Sequence, residues 1–368
     1  MFPDRNGVPI SRLAVSAYRV PTDTPEESDG TLVWNATTLV LVEMTASEVT
    51  GLGYTYADLA TAILVRDTLA APLIGMNALA IGPIHDLLVA RVRNLGRGGI
   101  TAMAIAAVDN AVWDLKARLL QVPLVTLLGQ IRDAAPIYGS GGFTSYSVAR
   151  LQAQLAGWID AGIPRVKMKI GRDPAADIAR VAAARRAIGD AAELFVDANG
   201  AYGRTQAVAQ AERIAASQVT WFEEPVDHQD LEGLRRCRKR APSGMDISVG
   251  EYGYQLVDFE RMLDAGAVDV LQADASRCAG ITGLLQTDAL CATKRVPLST
   301  HCAPALHLHV ACAATQLRHM EYFHDHVRIE QLLFDGVATP VDGQLAPDLA
   351  RPGMGLEFKR ADAAPYAI

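Results

Sequence analysis

Two hydrophobicity patterns divide the chain. The first begins with RLAVSAYRV (12–20) and TTLVLVEMTA (37–46), which alternate or run apolar and contain many β-branched residues. Such segments predict strands. The polar, turn-rich stretch between them, PTDTPEESDGTLVWN (21–35), predicts a mobile loop. Helical periodicity from Asp58 to about Arg93 and an Ala-rich segment that ends before the proline of QVPL predict helices. The first part therefore predicts an α+β domain.

The second pattern begins at PIYGSGG, where short apolar runs alternate with Ala-rich helical segments. The runs are VKMKI, ELFVD, TWFEE, DISVG, VDVLQAD, VPLSTH and HMEYF. Strand–helix repetition predicts a parallel sheet. With PIYGS there are eight runs, the number that closes a TIM-type barrel. An open doubly wound sheet is the alternative, but no GxGxxG follows the first strand, and GSGG is neither that motif nor a P-loop.

These patterns predict an α/β chain with two domains. We expect an α+β capping domain over residues 1–125, completed by a C-terminal segment of about 335–368. A TIM-type barrel of seven or eight β/α units, (β/α)7-8, is expected over residues 126–334.

Composition narrows the class of protein. Half of the 368 residues are hydrophobic and 20% are charged, enough for a large core. The formal charge of −7 argues against a nucleic-acid partner, which requires a basic surface. We expect no membrane span and, from MFPDRNGVPISRLAV, no secretory signal. The five cysteines are scattered, which predicts reduced thiols, mostly core filler, in a cytoplasmic protein.

Two lysines stand two residues apart in the apolar run RVKMKI. Because strand side chains alternate, Lys167 and Lys169 share one face while Val166, Met168 and Ile170 share the other. Mutual repulsion and loss of hydration both lower a lysine pKa, toward the range of a base. The alternative is an edge strand whose wet face carries protective lysines.

Ionisable residues also stand at or near the ends of the strands that follow. They lie 20 to 28 residues apart, about one β/α unit. The series is Lys169, Asp197, Glu223, Glu251, Asp274, His301 and Glu321. Any one of these acids alone is typical of a helix cap or a loop residue. In a barrel, however, the strand ends meet at one mouth, so the whole series indicates a shared site.

Three carboxylates from consecutive strands, Asp197, Glu223 and Glu251, would be unfavourable together without a cation. Oxygen ligands alone favour a hard ion, and room for substrate oxygens suits Mg²⁺. Lysines lie on one side of this set, and Asp274 with His301 on the other. A metal between two bases suits removal of a proton next to a carboxylate.

At this point the chain resembles the mandelate racemase subgroup of the enolase superfamily, also called the mandelate racemase/muconate lactonizing enzyme family. The resemblance covers nearly the whole length. It includes AIAAVDNAVWDLKARLLQVPLVTLLG, VKMKI, VDAN, WFEEP, GE, ADASRCAGITG, STH and MEYF. Aspartate at 274, where the muconate-lactonizing branch would have lysine, favours the racemase-like branch. LLGQ and CAGITG depart from the more usual LLGG and GGITG, at turns.

The resemblance implies a role for each residue of the series. Asp197, Glu223 and Glu251 would bind one Mg²⁺, and Lys169 would be the base on one face. Lys167 would hold the substrate carboxylate and depress the pKa of Lys169. His301, paired with Asp274, would be the acid/base on the other face. Glu321 would hydrogen-bond the enediolate oxygen as a protonated acid, and Glu224 would lie behind the ligands.

Substrate contacts are expected from Asn199, Arg277, Trp34 and Tyr54. Tyr56 and the cluster His324, Asp325 and His326 are further possibilities, with core packing or ordinary loop hydrogen bonding as the alternative. Specificity is expected from the capping domain, which could close over the barrel mouth.

The implied reaction is dehydration of an acid sugar to a 2-keto-3-deoxy sugar acid by a hydro-lyase. The alternatives are a racemase or epimerase of a 2-hydroxy acid, another enediolate reaction, or a catalytically silent metal-binding barrel. The expected partners are a small carboxylate and, by resemblance alone, further copies of the chain.

Overall fold

The computed structural model describes residues 7–368. The first six residues lie outside the described part of the chain, and with them the start of the segment for which no secretory signal is expected. The strands are β1 (Ile10–Pro21), β2 (Glu27–Ser28), β3 (Val33–Trp34), β4 (Ala36–Ala46), β5 (Val49–Tyr56), β6 (Ala135–Gly141), β7 (Arg165–Lys169), β8 (Glu193–Asp197), β9 (Val219–Glu223), β10 (Asp246–Val249), β11 (Val270–Ala273), β12 (Leu298–Thr300), β13 (Leu317–Phe323), β14 (Phe334–Asp335), β15 (Gln344–Leu345) and β16 (Glu357–Phe358).

The helices follow the same two-part order. They are α1 (Leu59–Leu64), α2 (Ile81–Arg91), α3 (Ile100–Leu119), α4 (Leu124–Leu128), α5 (Val148–Asp160), α6 (Pro174–Ile188), α7 (Arg204–Ile214), α8 (Leu231–Arg240), α9 (Leu256–Asp264), α10 (Gly280–Lys294), α11 (Pro304–Ala313), α12 (His324–Leu333) and α13 (Arg360–Ala363). Within the described residues no helix is long and apolar enough to cross a membrane.

The N-terminal part is an antiparallel sheet in the order β1-β4-β5, covered by α1 to α3. Helix α3 lies directly on β5. A side chain at Gly53 would place its Cβ 2.2 Å from the backbone nitrogen of Ala111, so this contact requires glycine. The predicted α+β domain is confirmed, although the helical stretch from Asp58 to Arg93 is interrupted by a π-turn at Val65–Leu69 and a 3-10 turn at Ala71–Leu73.

The second part is a closed barrel. Strands β6 to β13 are all parallel and pair in chain order, and β13 pairs with β6 to close the ring. Each strand is followed by a helix, α5 to α12, so the TIM-type prediction is confirmed with eight units. Strand β7 is paired on both sides, which excludes the edge-strand alternative for its two lysines.

Aromatic side chains fill the barrel beneath its carboxyl-terminal mouth. Tyr138, Phe195, Trp221 and His319 contact one another, with ring centroids between 4.7 and 6.3 Å apart. This plug leaves the polar strand ends above it as the floor of a cavity.

The stretch between β1 and β4 lies over the barrel mouth. It contains the short hairpin β2–β3 rather than only a loop, and the backbone N–H of Thr144 donates to the carbonyl of Ser28 at 2.7 Å. The C-terminal segment packs on the N-terminal sheet, where Ile368 donates to Ala17. The domain boundaries themselves stay a prediction.

Candidate active site

The parallel register brings the ionisable strand ends together. Lys169 pairs with Asp197 across β7 and β8, and Asp197 pairs with Glu223 across β8 and β9. Strand β10 ends at Val249, and Gly250, whose φ of 144° suits glycine, connects it to Glu251. Asp274 and His301 directly follow β11 and β12, and Glu321 lies in β13. All seven residues of the series are buried.

Asp197, Glu223 and Glu251 form a compact carboxylate triad, each offering an oxygen within 4.8 Å of the others. Oε2 of Glu251 is buried and accepts no hydrogen bond, and the same holds for Oδ1 of Asn199, two residues after Asp197. Burial raises the pKa of Glu223, and Asp197 raises it further. A buried, oxygen-only donor set with spare acceptors fits Mg²⁺.

The two lysines of β7 contact this triad from one side. Nζ of Lys167 lies 2.6 Å from Oε1 of Glu223 and 2.7 Å from Oε1 of Glu321. Lys169 donates to Oδ2 of Asp197. Val166, Met168 and Ile170 pack in the core outside the barrel, so the predicted division of faces is confirmed.

The sequence predicts a lowered pKa for Lys169, and this prediction is wrong for the charged groups of the protein alone. Burial lowers the pKa of Lys169 and Lys167 lowers it too, as the sequence suggests. Asp197, Glu251 and Glu223 outweigh these effects, and the pKa of Lys169 is raised. Sequence spacing shows the neighbouring ammonium but not the carboxylates that face it.

His301 approaches the triad from the other end. Its Nδ1 lies 2.8 Å from Oδ2 of Asp274, and its Nε2 lies 3.3 Å from Oε2 of Glu251. Burial raises the pKa of Asp274, but His301, His307 and Arg277 outweigh it, so the pKa is lowered. An ionised Asp274 keeps the proton of a neutral His301 on Nδ1, which leaves Nε2 free to accept one.

Glu321 lies between the two sides. Its Oε1 is the oxygen next to Lys167, and its Oε2 accepts the backbone N–H of Cys302 at 2.9 Å. Although burial raises the pKa of Glu321, Lys167 and His301 lower it well below the usual range. The charged groups of the protein alone therefore favour an ionised Glu321, and the expectation that it is protonated is wrong.

Cys302 is the residue that sequence reasoning missed. Its Sγ lies 3.1 Å from Nε2 of His301 and 3.5 Å from Oε2 of Glu321. The sequence predicts that most of the five cysteines fill the core, and all five are buried and free. The sequence signal for a place of Cys302 in the site is its position directly after His301, the ionisable residue that follows β12.

A cavity of about 370 Å³ lies above the triad. Lys169, Asn199, Glu251, Arg277 and His301 line its inner end, and Trp34 lies at the capping side. A larger cavity of about 660 Å³ lies by α11 and the C-terminal segment and contains none of the ionisable strand ends.

Tyr54 requires a correction. It is fully buried, its hydroxyl donates to Oε1 of Glu330 at 2.6 Å, and its ring stacks on Phe334. Two residues further along the same strand face, Tyr56 lines the cavity instead. The interpretation of Tyr54 as a substrate contact therefore does not hold.

The fold and this site define a barrel enzyme with a candidate metal site at its mouth, and comparison with known proteins agrees with this class. Residues 150–363 match the family described as enolase C-terminal domain-like, and residues 15–129 match the mandelate racemase/muconate lactonizing enzyme N-terminal domain. The chain belongs to the mandelate racemase/muconate lactonizing enzyme family of the enolase superfamily.

Three similar proteins illustrate this relationship. The 3,6-anhydro-α-L-galactonate cycloisomerase of Streptomyces coelicolor is 31% identical over 95% of this chain and 98% of its own. A mandelate racemase/muconate lactonizing enzyme-like protein from Rubrobacter xylanophilus is 52% identical, with a TM-score of 0.96 over 98% and 100% of the two chains. L-talarate/galactarate dehydratase of Salmonella typhimurium, liganded with Mg and L-lyxarohydroxamate, is 26% identical, with a TM-score of 0.91 over 100% and 96%.

Proposed function

We propose that this enzyme removes the proton α to a carboxylate with the help of Mg²⁺ and dehydrates an acid sugar to a 2-keto-3-deoxy sugar acid. One observation carries the proposal. Lys169 contacts Asp197, the first carboxylate of the triad, whereas Nε2 of His301 lies 3.3 Å from Glu251, the last. Proton-transfer groups thus stand at the two ends of one candidate metal site.

Asp197, Glu223 and Glu251 are the residues that would hold Mg²⁺. When bound, this ion supplies positive charge beside the substrate carboxylate, which lowers the energy of the enediolate. Asn199 offers a further oxygen at the edge of the same site.

The protein's own groups then divide the proton transfers. Although burial lowers the pKa of Lys169, the carboxylates of the triad raise it, and a cation held by the triad would offset that effect. Lys169 in its neutral form then takes the α-proton, and Lys167 places an ammonium group where the carboxylate oxygen gains charge. His301 enters this step as the imidazolium, gives its Nε2 proton to the β-hydroxyl and ends as the neutral ring, while Asp274 holds Nδ1–H. The β-carbon–oxygen bond breaks, water leaves, and the resulting enol becomes the 2-keto acid.

Relatives support this reaction class. Dehydratases of L-talarate/galactarate, D-gluconate and D-galactonate are 32%, 31% and 30% identical over 69%, 63% and 72% of this chain. The chain spans 64%, 50% and 74% of their lengths.

Racemisation or epimerisation is the second candidate, and the same two-sided geometry favours it. If His301 returns a proton to the α-carbon instead of the β-hydroxyl, the product is the α-epimer. One of the relatives that match nearly the whole chain is a cycloisomerase, so a rearranged product is also an outcome to look for.

The test is a library of mono- and diacid sugars incubated with the protein and Mg²⁺ in deuterated water. Proton NMR reports loss of the α-hydrogen, and a semicarbazide assay reports 2-keto acid. Formation of a 2-keto-3-deoxy acid supports dehydration, and an epimer or cyclic isomer supports the alternative reactions. If no acid exchanges its α-hydrogen, the barrel is catalytically silent toward this class and the proposal fails.

A further inference from the structure

Residues of the capping part and of the start of α12 form one side of the cavity, which we call the distal wall. It comprises Trp34, Thr38, Tyr56, Asp325 and His326. Lys169, Glu251 and His301 line the same cavity at the strand ends of the barrel. A substrate whose carboxylate lies at the triad and whose chain fills the cavity therefore contacts this wall.

The distal wall contains no lysine or arginine. Among the described residues that line the cavity, the ammonium and guanidinium groups are those of Lys169 and Arg277. Lys169 contacts Asp197. Nη1 of Arg277 donates to the carbonyl of Glu251 at 3.1 Å, and its Nε lies 3.7 Å from Asp274. Both cations are thus committed to the inner end.

The wall presents acid instead. Oδ2 of Asp325 accepts Nε1–H of Trp34 at 3.2 Å, while its Oδ1 accepts no hydrogen bond and lies 3.7 Å from Nη2 of Arg328. That nitrogen donates to the carbonyl of Pro21 at 2.6 Å, and Arg328 does not line the cavity. A second substrate carboxylate here would be desolvated beside Asp325 without a cation, which is strongly unfavourable.

His326 supplies a fixed donor in the same wall. Its Nδ1 accepts the backbone N–H of Ala303 at 3.2 Å, so in the neutral ring the proton is on Nε2. The ring stacks on Tyr56 with centroids 3.5 Å apart. Burial lowers the pKa of His326 well below its usual range, which keeps the ring uncharged. A neutral N–H in the lining of the cavity can donate to a substrate hydroxyl but cannot neutralise a carboxylate.

We propose that the substrate is a monocarboxylate whose far end is uncharged and carries hydroxyl groups, one of them recognised by Nε2–H of His326. This inference rests on the proposed function, because it assumes that the single carboxylate lies at the triad. It distinguishes an aldonate or a related cyclic monoacid from an aldarate.

The experiment compares acids that differ only at the far carbon. D-galactonate with galactarate and D-gluconate with D-glucarate are assayed with Mg²⁺ for α-hydrogen exchange and 2-keto acid. We expect kcat/KM for the monoacid to exceed that for the diacid by at least about 100-fold in any pair that reacts. A diacid that reacts equally well or better overturns this inference alone, whereas absence of exchange with every acid overturns the proposed function as well.

Variants of the wall test its electrostatics directly. Thr38→Lys places an ammonium in the wall, and Thr38→Met adds similar length without charge. We expect the lysine variant to shift the diacid-to-monoacid ratio of kcat/KM at least about tenfold toward the diacid relative to the methionine variant. Equal ratios for the two variants would contradict the inference.

His326→Gln tests the donor. We expect KM for the reactive monoacid to rise about tenfold, and α-hydrogen exchange of glycerate, which has only one hydroxymethyl group beyond its α-carbon, to fall less. Equal losses for both acids would assign His326 a structural role and overturn its part in recognition. Thr38→Lys keeps the ring of His326 stacked on Tyr56. The charge test therefore does not depend on whether His326→Gln folds.

Discussion

Nε2 of His301 lies 3.3 Å from Oε2 of Glu251, the last carboxylate of the triad. The nitrogen that can accept a proton is therefore fixed at one end of the candidate metal site, with Lys169 at the other. A substrate carboxylate bound at the triad would place its α-carbon between them. The predictions below test this geometry and its supports.

Removing either proton-transfer group should remove turnover. We expect Lys169→Ala and His301→Asn each to lower kcat about 10²- to 10⁴-fold, because each side of the substrate loses its acid or base. Circular dichroism should show an intact fold, and NMR in deuterated water measures the exchange.

Lys294→Ala is the matched control, since Lys294 is a surface residue paired with Asp264. It should keep its activity. If the Lys169 and His301 variants both retained full turnover, the assignment of the two bases would be wrong.

Mg²⁺ should bind at the triad and stabilise the fold. Because a cation that binds only the folded state adds to the free energy of unfolding, Mg²⁺ should raise Tm and a chelator should lower it. Glu223→Gln should abolish the Tm increase and the binding heat measured by calorimetry.

The control is Glu232→Gln in the first turn of α8, on the exposed surface. It should bind Mg²⁺ as the unmodified protein does. A Glu223→Gln variant with unchanged Mg²⁺ affinity would place the cation elsewhere.

Glu330 should make stability depend on pH. Burial raises its pKa to about 8 from an ordinary value of 4.5, even though Tyr54 and the N–H of Ala305 lower it in part. Asp274 raises it further. Between these pH values the folded protein holds a proton that the unfolded chain has released. The free energy of unfolding should therefore fall as pH rises, by up to about 1.4 kcal/mol per pH unit.

Urea unfolding at pH 5, 6, 7 and 8 measures this slope. Glu330→Gln cannot ionise, so its stability relative to the unmodified protein should improve toward pH 8. Exposed Glu260 in α9 provides the control variant Glu260→Gln. Parallel pH profiles for the unmodified protein and the Glu330 variant would refute the prediction.

Gly30 holds the hairpin of the capping part against the barrel mouth. A Cβ at this position would lie 2.3 Å from the carbonyl oxygen of Ala198 and 2.7 Å from that of Ile170. Gly30→Ala should displace the segment that carries Trp34, raising KM several-fold with a small change in Tm.

Gly82→Ala in α2, where an added Cβ meets nothing within 4 Å, is the control and should leave KM unchanged. A Gly30 variant with normal KM would show that the hairpin tolerates displacement without affecting the cavity.

Strand periodicity is a local property, and it is sufficient to predict the barrel and the shared face of Lys167 and Lys169. It also predicts that the carboxylates end consecutive strands. The position of Tyr54 depends on Glu330, 276 residues away, and the proton state of Glu321 depends on Lys167. Such partners are set by packing between distant elements, so no spacing rule indicates them.

Nε1 of Trp221 donates to Oε2 of Glu223 at 2.9 Å, directly beneath the triad. An indole bonded to a candidate metal ligand senses any change of charge on that carboxylate. The emission of this tryptophan should therefore shift when the cation arrives, which gives the protein a built-in fluorescent reporter of metal occupancy that requires neither substrate nor label.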